Sequence, residues 1–402
     1  MQQPSRIRIE STFAALQGVY WAGACALTAF TAVYLSWQGL SDGQIGYTAS
    51  LIYLATIVLS LLFSGYSDKH PAFPLKKLMT ALFLAALVLA AGLHFLSMPL
   101  ALLIGAYALA CSLDNCLGPM STSLMMQYLN GGIPVRYGWP RGVGSIVYAL
   151  AAYGLGVWMD RASPGVLPPV FLALGALGIA VLWRMPDPPP RQETPRNEHT
   201  PRDSYFAMLR RNPTLTLLLL ACIVSGMGIC PVSTYRIRIV EQLGGSAAQL
   251  GKMVFLDAGI ELPVMLLSPL LLRRIKAETL LTVSFLANAV KPLLLLWAGS
   301  IPALYAASLF NFFCFGIFGF ASVLFANAIV APGETVRSQS LLSLCYTSGV
   351  GGILGNLLGG ALLPRIGLRA LLYTCCGLCC LGAALMLLCV KRHRKKESPR
   401  FR

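Results

Sequence analysis

Residues 37–46, WQGLSDGQIG, are echoed by residues 242–251, QLGGSAAQLG. The shared Gly, Ser, Gln and Gly all recur 205 residues further along the chain, and the same offset relates Gly154 to Gly359. An offset of about half the chain predicts two halves of similar structure.

The composition is that of an integral membrane protein. Of the 402 residues, 56% are hydrophobic and only 11% are charged, and the mean hydropathy is +0.68. This is too apolar for a water-soluble domain. A membrane-spanning helix needs about 20 apolar residues. Such runs lie at roughly 12–36, 44–66, 76–96, 99–121, 141–160, 165–184, 213–235, 248–271, 278–298, 302–328, 338–362 and 369–390.

We therefore predict an all-α membrane protein with twelve transmembrane helices in two six-helix halves. Because the repeat keeps the same orientation, it favours a solute site between the halves, near the middle of the bilayer. Residues 185–204, MPDPPPRQETPRNEHTPRDS, hold six prolines and can neither continue a helix nor pack a core. The predicted parts are an N-terminal half at 1–184, a cytoplasmic linker at 185–204, a C-terminal half at 205–390 and a basic tail at 391–402.

The net charge of +16 follows the membrane. With the N-terminus inside, 24 of the 31 Lys and Arg fall on the inner connections and the two tails. Positive charge on the inside places both termini in the cytoplasm. We expect a multi-pass monomer in the plasma membrane, the cell inner membrane of a bacterium, with lipid as its surroundings and no nucleic-acid partner.

Cysteine and histidine usage argues against metal and enzyme chemistry. Most of the twelve cysteines lie in apolar spans, so no disulfide framework follows. Cys375, Cys376, Cys379 and Cys380 have no acidic or His partner in their span, and a zinc site needs deprotonated ligands. No nucleophile and base pair is visible. We predict no metal, no cofactor and no enzyme activity.

Residues 253–269, MVFLDAGIELPVMLLSP, place Asp257 and Glu261 in an apolar run. Four residues apart, they share one helix face, and each costs about 2.5 to 3.5 kcal/mol at the bilayer centre unless it faces protein or water. Lys291 lies nearer in predicted depth to Asp257. Glu261 would then be unpaired and would hold a proton more tightly, which suits proton coupling. A purely structural ion-pair role for both carboxylates stays open.

Other polar groups lie at membrane depth in the first half. The guanidinium of Arg141 can bind an anionic or polyhydroxyl solute, or it can snorkel to the cytoplasm. Asp114 can pair with Arg141 or lie near a water-filled vestibule. Gln17 and Tyr20 belong to a polar stripe that either lines a cavity or bonds across helices.

Three segments resemble a known family. Residues 65–69, GYSDK, follow the second span; residues 137–145, YGWPRGVGS, open the fifth; and Pro269, Arg273-Arg274 and Lys291 keep a characteristic spacing. Together with twelve spans in two halves, they resemble the major facilitator superfamily. The second and third segments resemble its group of lactose permeases, phenylpropionate permeases and nucleoside proton symporters.

The resemblance implies proton-driven uptake of a small organic solute by alternating access. It implies that Arg141 contacts the solute, that Lys291 stands where relatives have an intramembrane Arg, and that Glu261 is a coupling carboxylate. It also implies a conformational role for the loop motif of Gly65, Asp68 and Lys69.

The chain departs from the sugar symporters of that group at residues 302–328. This span contains no ionisable residue, where the sugar symporters carry His and Glu. Asn311 and Asn327 are its main polar substitutes, and we include Asn311 among the predicted solute-binding residues. Coupling by the sugar-permease route is therefore not expected.

Two other functions stay open. An efflux antiporter for amphipathic compounds would have the same fold, although residues 141–160 lack the Gly-Pro, Gly-Gly signature of drug antiporters. A non-transporting membrane receptor or scaffold would not explain why both halves carry charged residues at membrane depth, where burying a charge is unfavourable. The residues do not specify the solute.

Overall fold

In a computed structural model, the structure describes residues 6–70, 73–133, 135–136, 138–188, 205–331 and 334–397. Within these ranges the chain is helical and has no strand. The α-helices are α1 Arg6–Ala24, α2 Thr31–Trp37, α3 Asp42–Lys69, α4 Leu75–Phe95, α5 Leu100–Asn130, α6 Gly138–Arg161, α7 Leu167–Arg184, α8 Tyr205–Arg211, α9 Pro213–Thr234, α10 Arg236–Gln242, α11 Ala247–Arg274, α12 Ala277–Trp297, α13 Ile301–Leu309, α14 Phe315–Ile329, α15 Thr335–Cys345 and α16 Val350–Glu397.

The described helices account for the expected membrane crossings. Ten helical segments are long and apolar enough to span a membrane, and the pair α1 and α2, bent by 52°, makes an eleventh. The last of the ten, Arg337–Lys395, includes α16. A straight helix of 48 residues would be about 72 Å long, more than twice the bilayer core of about 30 Å. α16 changes direction at Gly367, where φ is +76°. With one crossing counted before Gly367 and one after it, the described helices make twelve membrane crossings.

Several predicted boundaries were wrong. The fourth span was predicted to end near residue 121, but α5 continues to Asn130. The first is broken by a π-helical turn at Cys25–Ala29, where hydroxyls of neighbouring side chains bond to backbone carbonyls. The tenth contains a 3-10 turn at Phe310–Phe312. The predicted tail is helical as far as Glu397.

The chain divides into two compact units. Unit 1 comprises residues 1–40, 51–197 and 246–259, and unit 2 comprises residues 41–50, 198–245 and 260–402. The short segments 41–50 and 246–259 hold the repeated sequence, and they begin α3 and α11. The predicted halves at 1–184 and 205–390 stay a prediction, and residues 189–204 of the predicted linker lie outside the described residues.

Each copy of the repeat has the same local structure. A glycine with positive φ precedes each helix, at +87° for Gly39 and +72° for Gly244, a conformation that glycine adopts without a steric penalty. The amide of Ser41 donates to Gln44 Oε1 at 2.9 Å, and the amide of Ser246 donates to Gln249 Oε1 at 2.8 Å. These are capping boxes, which satisfy amides at the start of a helix. The recurring Gly, Ser and Gln therefore start α3 and α11 in the same way.

An ion pair holds the start of α3 within unit 2. Arg238 Nη2 lies 2.7 Å from Asp42 Oδ1, and the Tyr235 hydroxyl donates to the Asp42 carbonyl at 2.7 Å. Burial alone would lower the pKa of Arg238, but its hydrogen bonds to Asp42 and Glu241 outweigh this and raise the pKa. The guanidinium therefore stays charged at neutral pH.

The glycine stripe at Gly351, Gly355 and Gly359 packs directly on a neighbouring helix. A Cβ on any of the three would lie 2.8 to 2.9 Å from an atom of α9. Helix backbones can approach this closely only where side chains are absent. The three glycines therefore serve close packing of α16 on α9.

Candidate functional site

The polar residues of unit 1 converge on the indole of Trp21. The Arg141 guanidinium carbon lies 4.5 Å from the centre of the Trp21 ring, within the range of a cation–π interaction. Arg141 Nη1 also donates to Ser145 Oγ at 3.0 Å. The indole nitrogen donates to Gln17 Oε1 at 3.0 Å, and Gln17 Nε2 donates to Ser121 Oγ at 3.0 Å. We call Gln17, Trp21, Arg141 and Ser145 the Trp21 cluster.

The motif at residues 137–145 is explained by this geometry. Gly144 is the point where α6 passes Trp21, because a Cβ at Gly144 would lie 2.5 Å from the indole Cδ1. Tyr148, one turn further along, packs edge-on against the same indole with ring centres 5.9 Å apart. Arg141 lies over the Trp21 ring, Ser145 accepts a hydrogen bond from Arg141, and Gly144 leaves room for the indole. These three residues therefore fix the position of the guanidinium relative to Trp21.

Asp114 lies deeper in unit 1. It is 1% exposed, and neither of its carboxylate oxygens has a hydrogen-bond partner among the described residues. The Tyr20 hydroxyl donates instead to the backbone carbonyl of Asp114, at 3.3 Å. Thus Asp114 makes no hydrogen bond to Arg141 among the described residues. Its predicted role in solute binding stays a prediction.

In unit 2, Lys291 donates a hydrogen bond from Nζ to Asn311 Oδ1 at 2.9 Å. The two residues are 4% and 7% exposed. Asn311 lies in the 3-10 turn that breaks the tenth span. The break thus places an amide oxygen against the buried ammonium.

A second polar contact in unit 2 was not predicted from sequence. Asn288 Nδ2 donates to the Tyr346 hydroxyl at 2.9 Å, and the Tyr346 ring stacks on Phe318 with centres 4.0 Å apart. Asn288 lies one turn before Lys291 on α12. A buried amide within an apolar run was the available signal, and it was overlooked.

Asp257 and Glu261 are both half-buried on α11. Asp257 belongs to unit 1, whereas Glu261 and Lys291 belong to unit 2, so the pairing of Asp257 with Lys291 stays a prediction. Glu261 has a polar or electrostatic partner. The premise that Glu261 is left unpaired was therefore wrong.

The predicted loop motif lies in the last turns of α3. Gly65 has open space around its Cα, and Lys69 is exposed. The side chain of Asp68 lies outside the described residues. The conformational role of this motif stays a prediction.

Metal ligation was tested on the described residues. Among them, no group of three or more His, Cys, Asp and Glu side chains has the arrangement of a metal site. Cys375 and Cys379 are buried, and Cys379 packs against Gly228, where its sulfur would lie 2.5 Å from a built Cβ. The cysteines of this helix act as small packing residues.

Comparison with known proteins agrees with this architecture. Residues 14–373 match the MFS_1 like family. A maltose permease from Geobacillus stearothermophilus is 26% identical over 376 residues, which cover 92% of this chain and 91% of the permease.

Solved structures show the same fold. The nucleoside transporter NupG superposes with a TM-score of 0.79 at 15% identity, over 95% of this chain and 99% of NupG. A bacterial homolog of the human lysosomal transporter Spinster superposes with a TM-score of 0.70 at 15% identity, over 97% and 98% of the two chains. These proteins are transporters and not enzymes.

Proposed function

The chain belongs to the MFS_1 like family, the transporter family that the sequence resemblance predicted, and on that premise we propose that it imports a small polyhydroxyl solute together with protons. Transport proceeds by alternating access, in a plasma membrane with both termini in the cytoplasm. The chain acts as a monomer, and its solute is a sugar or a nucleoside.

The Trp21 cluster carries this proposal. A guanidinium that lies over an indole and is tied to a serine hydroxyl is oriented before any solute arrives. Arg141 keeps donors in a planar fork that matches paired hydroxyls or a carboxylate. The aromatic faces of Trp21 and Tyr148 can pack against the apolar face of a sugar ring or against a nucleobase. Ordered donors beside aromatic rings are typical of sites for small organic molecules.

The names of two relatives support a solute that carries hydroxyl groups. One relative is named for maltose and one structural neighbour for nucleosides. A sugar and the ribose of a nucleoside share adjacent hydroxyls, so both fit a planar donor fork. The Trp21 cluster, which includes Gln17, is therefore proposed to bind the hydroxyl groups of the solute, together with the neighbouring Tyr20.

In unit 2, Lys291 and Asn311 are proposed to bind the solute as well. Glu261 is proposed as a coupling carboxylate, with Asp257 beside it on α11. The tenth predicted span, residues 302–328, contains no ionisable residue, so the coupling group has to lie on another helix.

Thermal shift of the purified protein identifies the solute. A ligand that binds the folded state raises its melting temperature by mass action, and the panel should include sugars, nucleosides, aromatic acids and peptides. We expect stabilisation by a sugar or a nucleoside, lost in Arg141→Lys, which keeps the charge but not the planar fork. Arg161→Lys, at the far end of the same helix, is the matched control. Stabilisation by peptides alone would contradict the proposal.

Proteoliposomes test direction and coupling. With the identified solute, an inward proton gradient should drive accumulation inside the vesicles, and Glu261→Gln should abolish it. Uptake that only equalises the solute concentrations inside and outside, with or without a proton gradient, would mean that the protein is not proton-coupled. Unchanged coupling in Glu261→Gln would remove Glu261 from the mechanism. Uptake of solute into inside-out vesicles against its concentration gradient would instead favour efflux.

A further inference from the structure

Asp114 is a buried carboxyl group that makes no hydrogen bond. Both side-chain oxygens are fully enclosed and lack a hydrogen-bond partner among the described residues. By contrast, Ser112 and Asn115 on the same helix bond to α3: Ser112 Oγ donates to the Ile52 carbonyl at 3.0 Å, and Asn115 Nδ2 donates to Thr56 Oγ1 at 3.3 Å. The neighbours of Asp114 are thus satisfied while Asp114 is not.

Such a group needs a reason. An ionised carboxylate buried without a partner costs several kcal/mol, and a neutral one still costs about 1 to 3 kcal/mol in lost hydrogen bonds. The neutral form is the cheaper of the two, so Asp114 carries its proton in this conformation. The hydrogen bonds to water that the neutral carboxyl group loses on burial are not replaced by others among the described residues. An intramembrane ionisable residue of this kind points to function.

Tyr20 connects Asp114 to the Trp21 cluster. Its hydroxyl contacts the Asp114 carbonyl, and its ring packs edge-on against Trp21 with centres 5.3 Å apart. The phenol interacts electrostatically with both Asp114 and Arg141. Gly118 leaves the space that the hydroxyl occupies, since a Cβ there would lie 2.9 Å from it. Tyr20 is therefore the side chain that links the Trp21 cluster to Asp114.

We infer that Asp114 is a proton-carrying residue of this transporter, and that solute binding at the Trp21 cluster reaches it through Tyr20. Solute binds while Asp114 is protonated, and Asp114 meets water when Tyr20 moves aside after the solute has left the Trp21 cluster. The carboxyl O–H bond breaks, the proton goes to water, and the electron pair stays on the carboxylate. Arg141 is then the cation in unit 1 that stabilises the charge. The reverse steps reload the proton before Tyr20 closes again.

The surroundings of Asp114 contain few other ionisable groups. α1 contributes Tyr20, and α5 itself contributes Cys111 and Cys116, which interact electrostatically with Asp114. α3 presents Thr56 and Ser60, which do not titrate in this range. α4 has its ionisable groups at its two ends, and these are Lys76, Lys77 and His94. Arg141 of α6 acts on Tyr20. Among these described groups Asp114 is the carboxylic acid, so we assign the exchanged proton to it.

The inference rests on the proposed proton-coupled import and adds a second carboxyl group to it. Glu261 has a polar or electrostatic partner, so the argument from an unpaired carboxyl now applies to Asp114. The two assignments are separable, because one residue lies in each unit.

The test compares Asp114→Asn with the wild type in proteoliposomes, using the solute identified by thermal shift. Asn is close in shape but cannot release a proton. We expect loss of accumulation driven by a proton gradient, while exchange of labelled for unlabelled solute continues. Ser112→Ala, a matched change on the same buried face, should keep both activities. Asp114→Glu, which retains a carboxyl group, should keep part of the accumulation.

Binding measured against pH supplies a readout that a merely structural residue would not affect. Wild-type affinity should weaken at alkaline pH by up to about tenfold per pH unit, the limit for one linked proton. Asp114→Asn should bind independently of pH. Wild-type binding should also take up a proton from a dye-containing buffer, and the Asn variant should take up none.

Several outcomes would overturn the inference. One is accumulation by Asp114→Asn equal to that of the wild type with the same pH dependence. Another is equal loss in Asp114→Asn and Asp114→Glu of both exchange and binding, which would make the residue structural. If the wild type accumulates solute to the same level without a proton gradient, the proposed coupling fails, and this inference fails with it. If the wild type is coupled and Asp114→Asn is unaffected, only the role of Asp114 fails.

Discussion

Gly156 and Gly251 face each other in unit 1 so closely that a Cβ built on either would lie 3.1 Å from the Cα of the other. The same relation holds in unit 2 between Gly46 and Gly360, with distances of 2.8 and 3.1 Å. Gly46 and Gly251 are equivalent positions of the 205-residue repeat. The repeat therefore encodes a close helix contact at the start of α3 and of α11.

Gly251→Ala should lower the stability of the folded protein. Its new Cβ would lie 2.4 Å from the Ala152 carbonyl oxygen, and because backbone cannot move aside, we expect a cost of about 1 to 3 kcal/mol. Gly259→Ala is the control on the same helix, since nothing lies within 4 Å of its Cβ. It should stabilise by about 0.5 to 1 kcal/mol. Melting temperatures in detergent measure both, and equal shifts would contradict the close contact.

Gly144→Ala should weaken solute binding more than it weakens the fold. The added methyl group would collide with the Trp21 indole and displace it from Arg141. Gly142→Ala, two residues away in the same motif, has open space and should bind as the wild type does. Isothermal titration with the identified solute separates the two variants. Equal affinity in both would mean that the position of Trp21 does not matter for binding.

Much of the fold could be predicted from sequence because the bilayer imposes it. Apolar length identifies helices, and the constant offset identifies the residues that the structure shows in the two helix starts and the glycine contacts. Helix breaks were missed, because a π-helical turn at Cys25–Ala29 and a 3-10 turn at Phe310–Phe312 contain ordinary membrane residues. Hydropathy does not distinguish them from a continuous helix.

The candidate site was predictable only in part. Arg141, Gln17 and Tyr20 stand out as polar residues in apolar runs, and the structure places them around Trp21. Trp21 itself was missed, because an aromatic residue in a membrane span is usually a lipid or core residue. Partners across helices depend on helix packing, which linear depth estimates do not contain.

The ion pair between Asp42 and Arg238 should contribute measurable coupling. Each side chain is about a quarter exposed, so we expect about 0.5 to 1 kcal/mol from a double-mutant cycle with Asp42→Asn and Arg238→Gln. The cycle with Glu241→Gln and Arg238→Gln is the control. Glu241 is 47% exposed and should couple by no more than about 0.3 kcal/mol. Chemical denaturation in mixed micelles provides the free energies. A larger coupling to Glu241 than to Asp42 would contradict the observed geometry.

The contact between Lys291 and Asn311 predicts a difference between the two asparagines of the tenth span. Asn311→Leu removes an acceptor from a buried ammonium and should cost about 1 to 3 kcal/mol of folding free energy. Asn327→Leu is the matched control, because Asn327 is exposed and accepts only from the exposed Gln339 at 2.8 Å among its described contacts. Its cost should stay within about 0.5 kcal/mol. The double variant Lys291→Met with Asn311→Leu should recover part of the loss, since it removes the buried charge as well. Thermal melts of the four proteins decide the matter. If Asn311→Leu costs no more than Asn327→Leu, Lys291 does not depend on this hydrogen bond.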